Sequence, residues 1–248
     1  MALAFITSNR LPIPHGFSTR AGGVSTGPYQ SLNLGYSVGD LKQRVDQNFE
    51  RFFQSASLTK DHIRTVAQVH GDRVLEFGPQ APARTPEADA LWTQHAGVAV
   101  AVKTADCVPV LLADTAGKRV AAVHSGWRGT ELKVAQRAVE ALAQGGSRPE
   151  NLLAVIGPSI RGCCYQVSSS LAERFSQLFG KDVVHGNAAE PRLDLALAIH
   201  RTLWEAGIPI DHIDVLSHCT SCDKEAFYSH RRDRGVTGRH LSYIVCQF

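Results

Sequence analysis

The chain has 248 residues, 44% of them hydrophobic and 20% charged, with a formal net charge of +3. This is the make-up of an ordinary globular protein with a sizeable core, expected as one domain over residues 1–248. No block of five or six like charges marks a nucleic-acid surface, no apolar run reaches the length of about 18 residues a membrane span needs, and MALAFITSNRLPIP lacks the basic start of a signal peptide. A cytoplasmic protein with a small-molecule substrate, no nucleic-acid or membrane partner, and a monomeric or homodimeric state is expected.

Residues 15–35, HGFSTRAGGVSTGPYQSLNLG, are rich in glycine and hydroxyls and read as a loop of tight turns with backbone N–H groups free for a ligand. From Asp40 to Phe53 apolar residues recur at helical spacing. Ile63 to Val69 alternates as a strand, Gln68-Val69-His70-Gly71-Asp72 makes a turn, and Val74 to Phe77 is a second strand. Residues 78–86 are the Pro-rich stretch, after which strands resume at 89–92 and 98–102.

Lys103 to Thr130 holds two apolar strands joined by a turn at Ala116-Gly117-Lys118. Cys107 opens the first of them and His124 closes the second, so the turn brings the two together, and the glycines at 126 and 129 keep the backbone thin beside them. Leu132, Ala135, Val139 and Leu142 then trace a helical stripe that Gly145-Gly146 stops, with an N-terminus pointing back at the site. A strand at 152–156, helices at 169–179 and 193–204, and strands at 213–216 and 241–246 complete the chain. The alternation predicts an α/β or α+β fold with mixed sheets covered by helices.

His70, Cys107 and His124 all lie at expected strand ends, 37 and 17 residues apart. Two imidazoles and a thiolate suit zinc: three protein ligands leave the fourth tetrahedral position open, and the spacing is too long for a zinc finger. Asp106 points to the other strand face, where it caps the turn or orients a ligand. Cys219 and Cys222 have the spacing of half a zinc knuckle, but no second Cys-x-x-Cys answers them, and Cys163-Cys164 read as buried thiols rather than a vicinal disulfide. The run His230-Arg231-Arg232-Asp233-Arg234 reads as packing or pocket rim and suits a phosphate-sized anion.

QVHG at 68–71, TADCVPVLL at 104–112, HSGWRG at 124–129, GPSI and CCY within 157–165, and CTSCDKEAFYSHRRD at 219–233, with HGFSTRAGGVS near the start, closely resemble the YfiH or laccase-domain family, also labelled polyphenol oxidase or peptidoglycan editing factor. The resemblance covers nearly the whole chain. It implies a layered α/β/β/α domain with zinc held by His70, Cys107 and His124, and phosphorolysis of adenosine, inosine and methylthioadenosine with adenosine deamination. Under that reading Ser18, Arg20 and Arg128 with the helix N-terminus hold phosphate, and Asn33 and Tyr165 contact ribose or base. Two other activities remain open: a Cys107–His124 hydrolase acting on aberrant UDP-muramoyl amino-acid precursors, and a copper polyphenol oxidase. The last is disfavoured, because the eleven histidines form no His-x-His pair and Met1 is the one methionine.

Overall fold

The computed structural model describes residues 5–116 and 118–247; Gly117 of the expected turn and the first four residues of the N-terminal segment lie outside it. In chain order the strands and α-helices are β1 (Phe5–Ile6), β2 (His15–Ser18), α1 (Lys42–Ala56), β3 (Ile63–Arg64), β4 (Val74–Glu76), β5 (Ala90–Thr93), β6 (Ala99–Thr104), β7 (Val108–Asp114) and β8 (Arg119–Ser125). They continue with α2 (Trp127–Glu131), α3 (Val134–Gln144), β9 (Leu152–Ile156), α4 (Ser169–Phe179), β10 (Val184–Gly186), β11 (Pro191–Leu193), α5 (Leu195–Glu205), β12 (Ile213–Val215) and β13 (His240–Val245).

One sheet runs β1-β2-β13-β6-β3 and the other β12-β9-β7-β8-β5-β4, with β10 and β11 pairing separately. Both larger sheets are mixed: β3 runs parallel to β6, β4 to β5 and β12 to β9, while the remaining pairs are antiparallel. Strand periodicity explains why the apolar runs are continuous. Along β7, Leu111 and Ala113 join Val100, Val102, Val120, Ala122 and Ile244 between the sheets. The alternate residues Val108, Val110 and Leu112 face the other way, packing with Val139, Leu142, Phe175, Ile199 and Leu203 of α3, α4 and α5. Ala99 and Ala101 of β6, with Leu241 and Tyr243 of β13, pack under Phe52 of α1. Strands buried on both faces need no polar alternation, and the outcome is the layered α/β/β/α arrangement.

Three expectations are corrected. The strand read over 63–69 stops at Arg64, because the chain then leaves the first sheet for the second; His70 sits in that crossing loop at φ 60°, not at a strand end. The helix after the glycines begins earlier, at Trp127, and is interrupted where Lys133 takes φ 58°, which rotates the stripe and leaves Leu132 48% exposed. The glycine-rich segment read as loop contains β2, whose four residues are all buried, since Gly16 lets the strand pass beneath Phe5 and Tyr243.

Gly157, where the chain leaves β9, is a close-approach position: a Cβ there would lie 2.2 Å from Cε1 of Phe17, a ring only 1% exposed, and 2.9 Å from Cγ of Pro109. Neither neighbour can swing into solvent. Gly157→Ala is expected to destabilise the protein by about 1–3 kcal/mol, the range for overpacking a core, read from its chemical denaturation midpoint.

Candidate active site

The site is assembled from three local devices. β7 and β8 are antiparallel with Pro109 opposite His124, which places Cys107 just beyond the strand end and beside the imidazole. His70 arrives from the crossing loop, its ring centroid 4.8 Å from that of His124 with the planes at 84°. Gly126 closes the arrangement, for a Cβ there would lie 3.0 Å from Cys107 Sγ and 3.1 Å from His70 Cδ2.

The ligand atoms of His70, Cys107 and His124 lie within 4.8 Å of one another, with Cys107 Sγ 3.9 Å from His70 Nε2. Tetrahedral zinc with bonds of about 2.0–2.3 Å requires neighbouring donors about 3.5 Å apart, so two nitrogens and one sulfur at this spacing fit such an ion with small side-chain adjustments.

Asp89, which the sequence reading did not single out, holds this set in place. Its carboxylate is buried at the entry to β5 and accepts the N–H of Val69, His70 and Gly71 at 3.2, 3.0 and 2.7 Å. Three consecutive amides can converge on one carboxylate only if the backbone curls, which accounts for the left-handed conformation of His70. The same carboxylate lies 2.7 Å from His124 Nδ1, so that nitrogen donates to Asp89 and Nε2 is left for Cys107 or a metal. A visible clue existed: one acidic residue between Ala88 and Ala90 at the mouth of an apolar strand.

The electrostatics follow from this packing. Burial opposes charge on Cys107, yet the neighbouring His124 charge and hydrogen bonds from both histidines outweigh it and bring the thiol down to about 6. Burial likewise opposes charge on His124, but the thiolate and Asp89 raise it to about 9. Asp89 itself is lowered: burial is outweighed by the bonds from His124 and the Gly71 and His70 amides.

Around the trio is a cavity of about 680 Å³ whose lining includes Lys103, Trp127, Tyr165, His230, Arg231 and Arg239. Gln68 pins the Lys103 backbone by two 2.7 Å bonds, and the Arg231 guanidinium lies 4.9 Å over the Tyr165 ring while donating to the Gln166 carbonyl. Asp106, buried at φ 88°, accepts from Thr220 Oγ1, Ser229 Oγ and the Arg231 amide at 2.6, 3.0 and 2.6 Å. It therefore sets the wall of the cavity rather than acting in it.

Of the substrate contacts expected from sequence, Tyr165 lines the cavity and four others do not. Ser18 is buried, its Oγ accepting the Leu241 amide. Arg20 donates to the Gln30 and Lys224 carbonyls and covers the Tyr228 ring, while Arg128 is exposed over Trp127. Asn33 accepts the amides of Gly35 and Arg239 and so positions two lining residues from behind. The cations that do face the cavity are Lys103, Arg231 and Arg239, the second from the basic run read as pocket rim.

Two outcomes are expected. Asp89→Asn should weaken metal binding by roughly 10–100-fold, the effect of losing the carboxylate behind a ligating histidine, measured by competition with a chelator. In metal-free protein at about pH 8, above the thiol's value and below the imidazolium's, zinc uptake should release one proton from His124; below about pH 6 the Cys107 proton should join it, and above about pH 9 the His124 release should vanish. Calorimetric titrations in buffers of differing ionisation enthalpy count those protons.

The family described as multi-copper polyphenol oxidoreductase laccase matches residues 14–247. A protein of Deinococcus radiodurans named purine nucleoside phosphorylase is 39% identical over 242 residues, spanning 98% of this chain and 92% of that protein. The Escherichia coli protein named purine nucleoside phosphorylase YfiH is 37% identical over 231 residues, spanning 92% and 91%. The crystal structure of YlmD from Geobacillus stearothermophilus superposes with a TM-score of 0.90 at 31% identity, covering 99% of this chain and all of that one. With this fold, with His70, Cys107 and His124 converged on one cavity, and with such relatives along its length, the chain belongs to the YfiH family of laccase-like domains.

Proposed function

We propose that this protein is a zinc-dependent purine nucleoside phosphorylase acting on adenosine, inosine and methylthioadenosine, with adenosine deamination as a second activity of the same cavity. The observation that carries the reading is the pairing of a metal-competent His₂Cys set with a cationic, aromatic-lined cavity large enough for a nucleoside and phosphate. The names of the relatives point the same way.

Phosphorolysis forms a bond from a phosphate oxygen to C1′ of the ribose and breaks the bond from C1′ to the purine nitrogen; the base leaves with the electron pair and takes up a proton. Arg231 and Arg239 supply forked donors for the phosphate, with Lys103 adding positive charge at the wall. Tyr165, held flat by Arg231, offers a face for the ring system. His70, Cys107 and His124 would hold the metal, which supplies Lewis acidity for the departing base and for the deaminating water. Asp89 keeps His124 Nδ1 protonated and its Nε2 turned to the ligand position.

A second reading draws on one specific observation. Without metal, Asp89, His124 and Cys107 form a carboxylate–imidazole–thiolate chain, the arrangement of a cysteine hydrolase, and the cationic wall would suit the diphosphate of a UDP-muramoyl amino acid. Copper oxidase chemistry finds less support: among the described residues the two clusters able to hold a metal are this trio and a set of four cysteines, neither a multi-histidine copper assembly.

Purified protein incubated with each nucleoside, with and without phosphate, should release free base and the corresponding sugar 1-phosphate (ribose 1-phosphate from adenosine and inosine, 5-methylthioribose 1-phosphate from methylthioadenosine) only when phosphate is present, and inosine from adenosine without it. Cys107→Ala should lower both by roughly 10²–10⁴-fold, the share a single catalytic group commonly carries. Absence of both products from zinc-loaded protein would overturn the proposal. Cleavage of the muramoyl precursor by metal-free protein, abolished by iodoacetamide, would establish the hydrolase instead.

A further inference from the structure

A second cluster of chemistry-bearing side chains lies outside the cavity. β9 and β12 are parallel neighbours, with Ala154 opposite Ile213 and Ile156 opposite Val215, so both chains leave the sheet at the same edge. The loop after β9 carries Cys163 and Cys164, and the loop after β12 carries Cys219 and Cys222. The two loops stay paired beyond the strands: Ser159 bridges Cys219, and the Thr220 amide donates to the Ser159 carbonyl at 3.1 Å. This corrects the expectation that Cys219 and Cys222 lack partners; the other half of the set is a vicinal pair about 55 residues earlier in the chain, and Cys163 is exposed rather than buried.

We propose that Cys163, Cys164, Cys219 and Cys222 form a tetrathiolate zinc site, separate from the His₂Cys set, that staples the β9 and β12 loops together. The four sulfurs all lie within 4.8 Å of one another, with Cys163 and Cys164 at 3.5 and 3.3 Å from Cys222. Four sulfurs around tetrahedral zinc, at bonds of about 2.3 Å, sit about 3.8 Å apart, within the observed spread. All four are free thiols in the structure.

Cys219 is fixed between the two loops: the Ser159 amide donates to the His218 carbonyl, and the Asp223 amide donates to the Cys219 carbonyl, closing the turn that carries the Cys-x-x-Cys unit. Four thiolates and one zinc leave a net negative charge, and Arg161, buried between Asp194 and the cysteines, supplies positive charge on that side. Its guanidinium donates to the Leu216 carbonyl and has a buried Nε without a hydrogen-bond partner. Cys163 and Cys222 are exposed, which gives the metal a route in.

The staple acts on the cavity through its neighbours. Tyr165 follows Cys164 directly and lines the cavity, and Thr220 follows Cys219 and donates to Asp106, which in turn holds the Arg231 amide. Zinc at the four cysteines fixes both ends of that wall.

The test is elemental analysis of full-length protein purified under reducing conditions without added metal. A His70→Ala/Cys107→Ala/His124→Ala variant, lacking the cavity donors, should retain one zinc per chain. A Cys163→Ser/Cys222→Ser variant, altered at the two exposed positions, should lose one zinc relative to wild type. Should that variant fail to fold, the cavity variant provides a second readout: its organomercurial titration should release zinc in step with four protected thiols, and its cobalt-substituted form should show sulfur-to-metal charge transfer of a tetrathiolate. A cavity variant that holds no zinc and has freely reactive or disulfide-linked cysteines overturns the proposal, as does iron in place of zinc. Neither result depends on whether the protein cleaves nucleosides.

Discussion

The Asp89 carboxylate is the interaction on which the candidate active site depends. It is fully buried, and a buried carboxylate persists only when its lone pairs are filled. Here they are filled by three successive amides of the loop crossing between the sheets and by the imidazole of His124. One group thus orders the otherwise irregular His70 segment, chooses the tautomer of His124 and offsets the charge that imidazole gains beside Cys107. His70 and His124 are thus oriented by the fold itself, before any ligand arrives.

The sheets make this possible by staying rigid. β7 and β8 bury both faces, one against the opposing sheet and one against α3 and α5, so the strand ends that carry Cys107 and His124 have no freedom to drift. Polar residues gather where the strands finish: Asp89, Asp106, Cys107 and His124 all lie at one end of the second sheet, and the loops from that end close over the cavity. In a mixed α/β architecture such an end is where irregular backbone can face a ligand while the core remains apolar.

The cavity wall is held from behind. Asp106 gathers Thr220, Ser229 and the Arg231 amide, Asn33 fixes Gly35 and Arg239, and Gln68 fixes Lys103. Asn48 of α1 ties the same region together, accepting the Val24 amide and donating to the Asn33 carbonyl and Ser25. Much of what reads in the sequence as ligand-binding polarity, Ser18 and Arg20 included, is occupied in satisfying the backbone of a long loop with little regular structure.

The sequence by itself determined the apolar strands and most helix positions, because strand and helix periods are local, and it singled out His70, Cys107 and His124, whose ligand atoms the fold brings within 4.8 Å of one another. It left undecided what depends on separation in space. Asp89 is an ordinary acidic residue until the crossing loop folds over it. The cations of the cavity come from β6, from the basic run and from the start of β13, segments that meet only through sheet pairing, so Arg20 and Arg128 could not be told from Arg231 and Arg239 beforehand. The four cysteines make the same point most sharply: parallel pairing of β9 with β12 converts two unremarkable pairs into one cluster, and pairing between distant strands is a property of the tertiary fold rather than of local spacing.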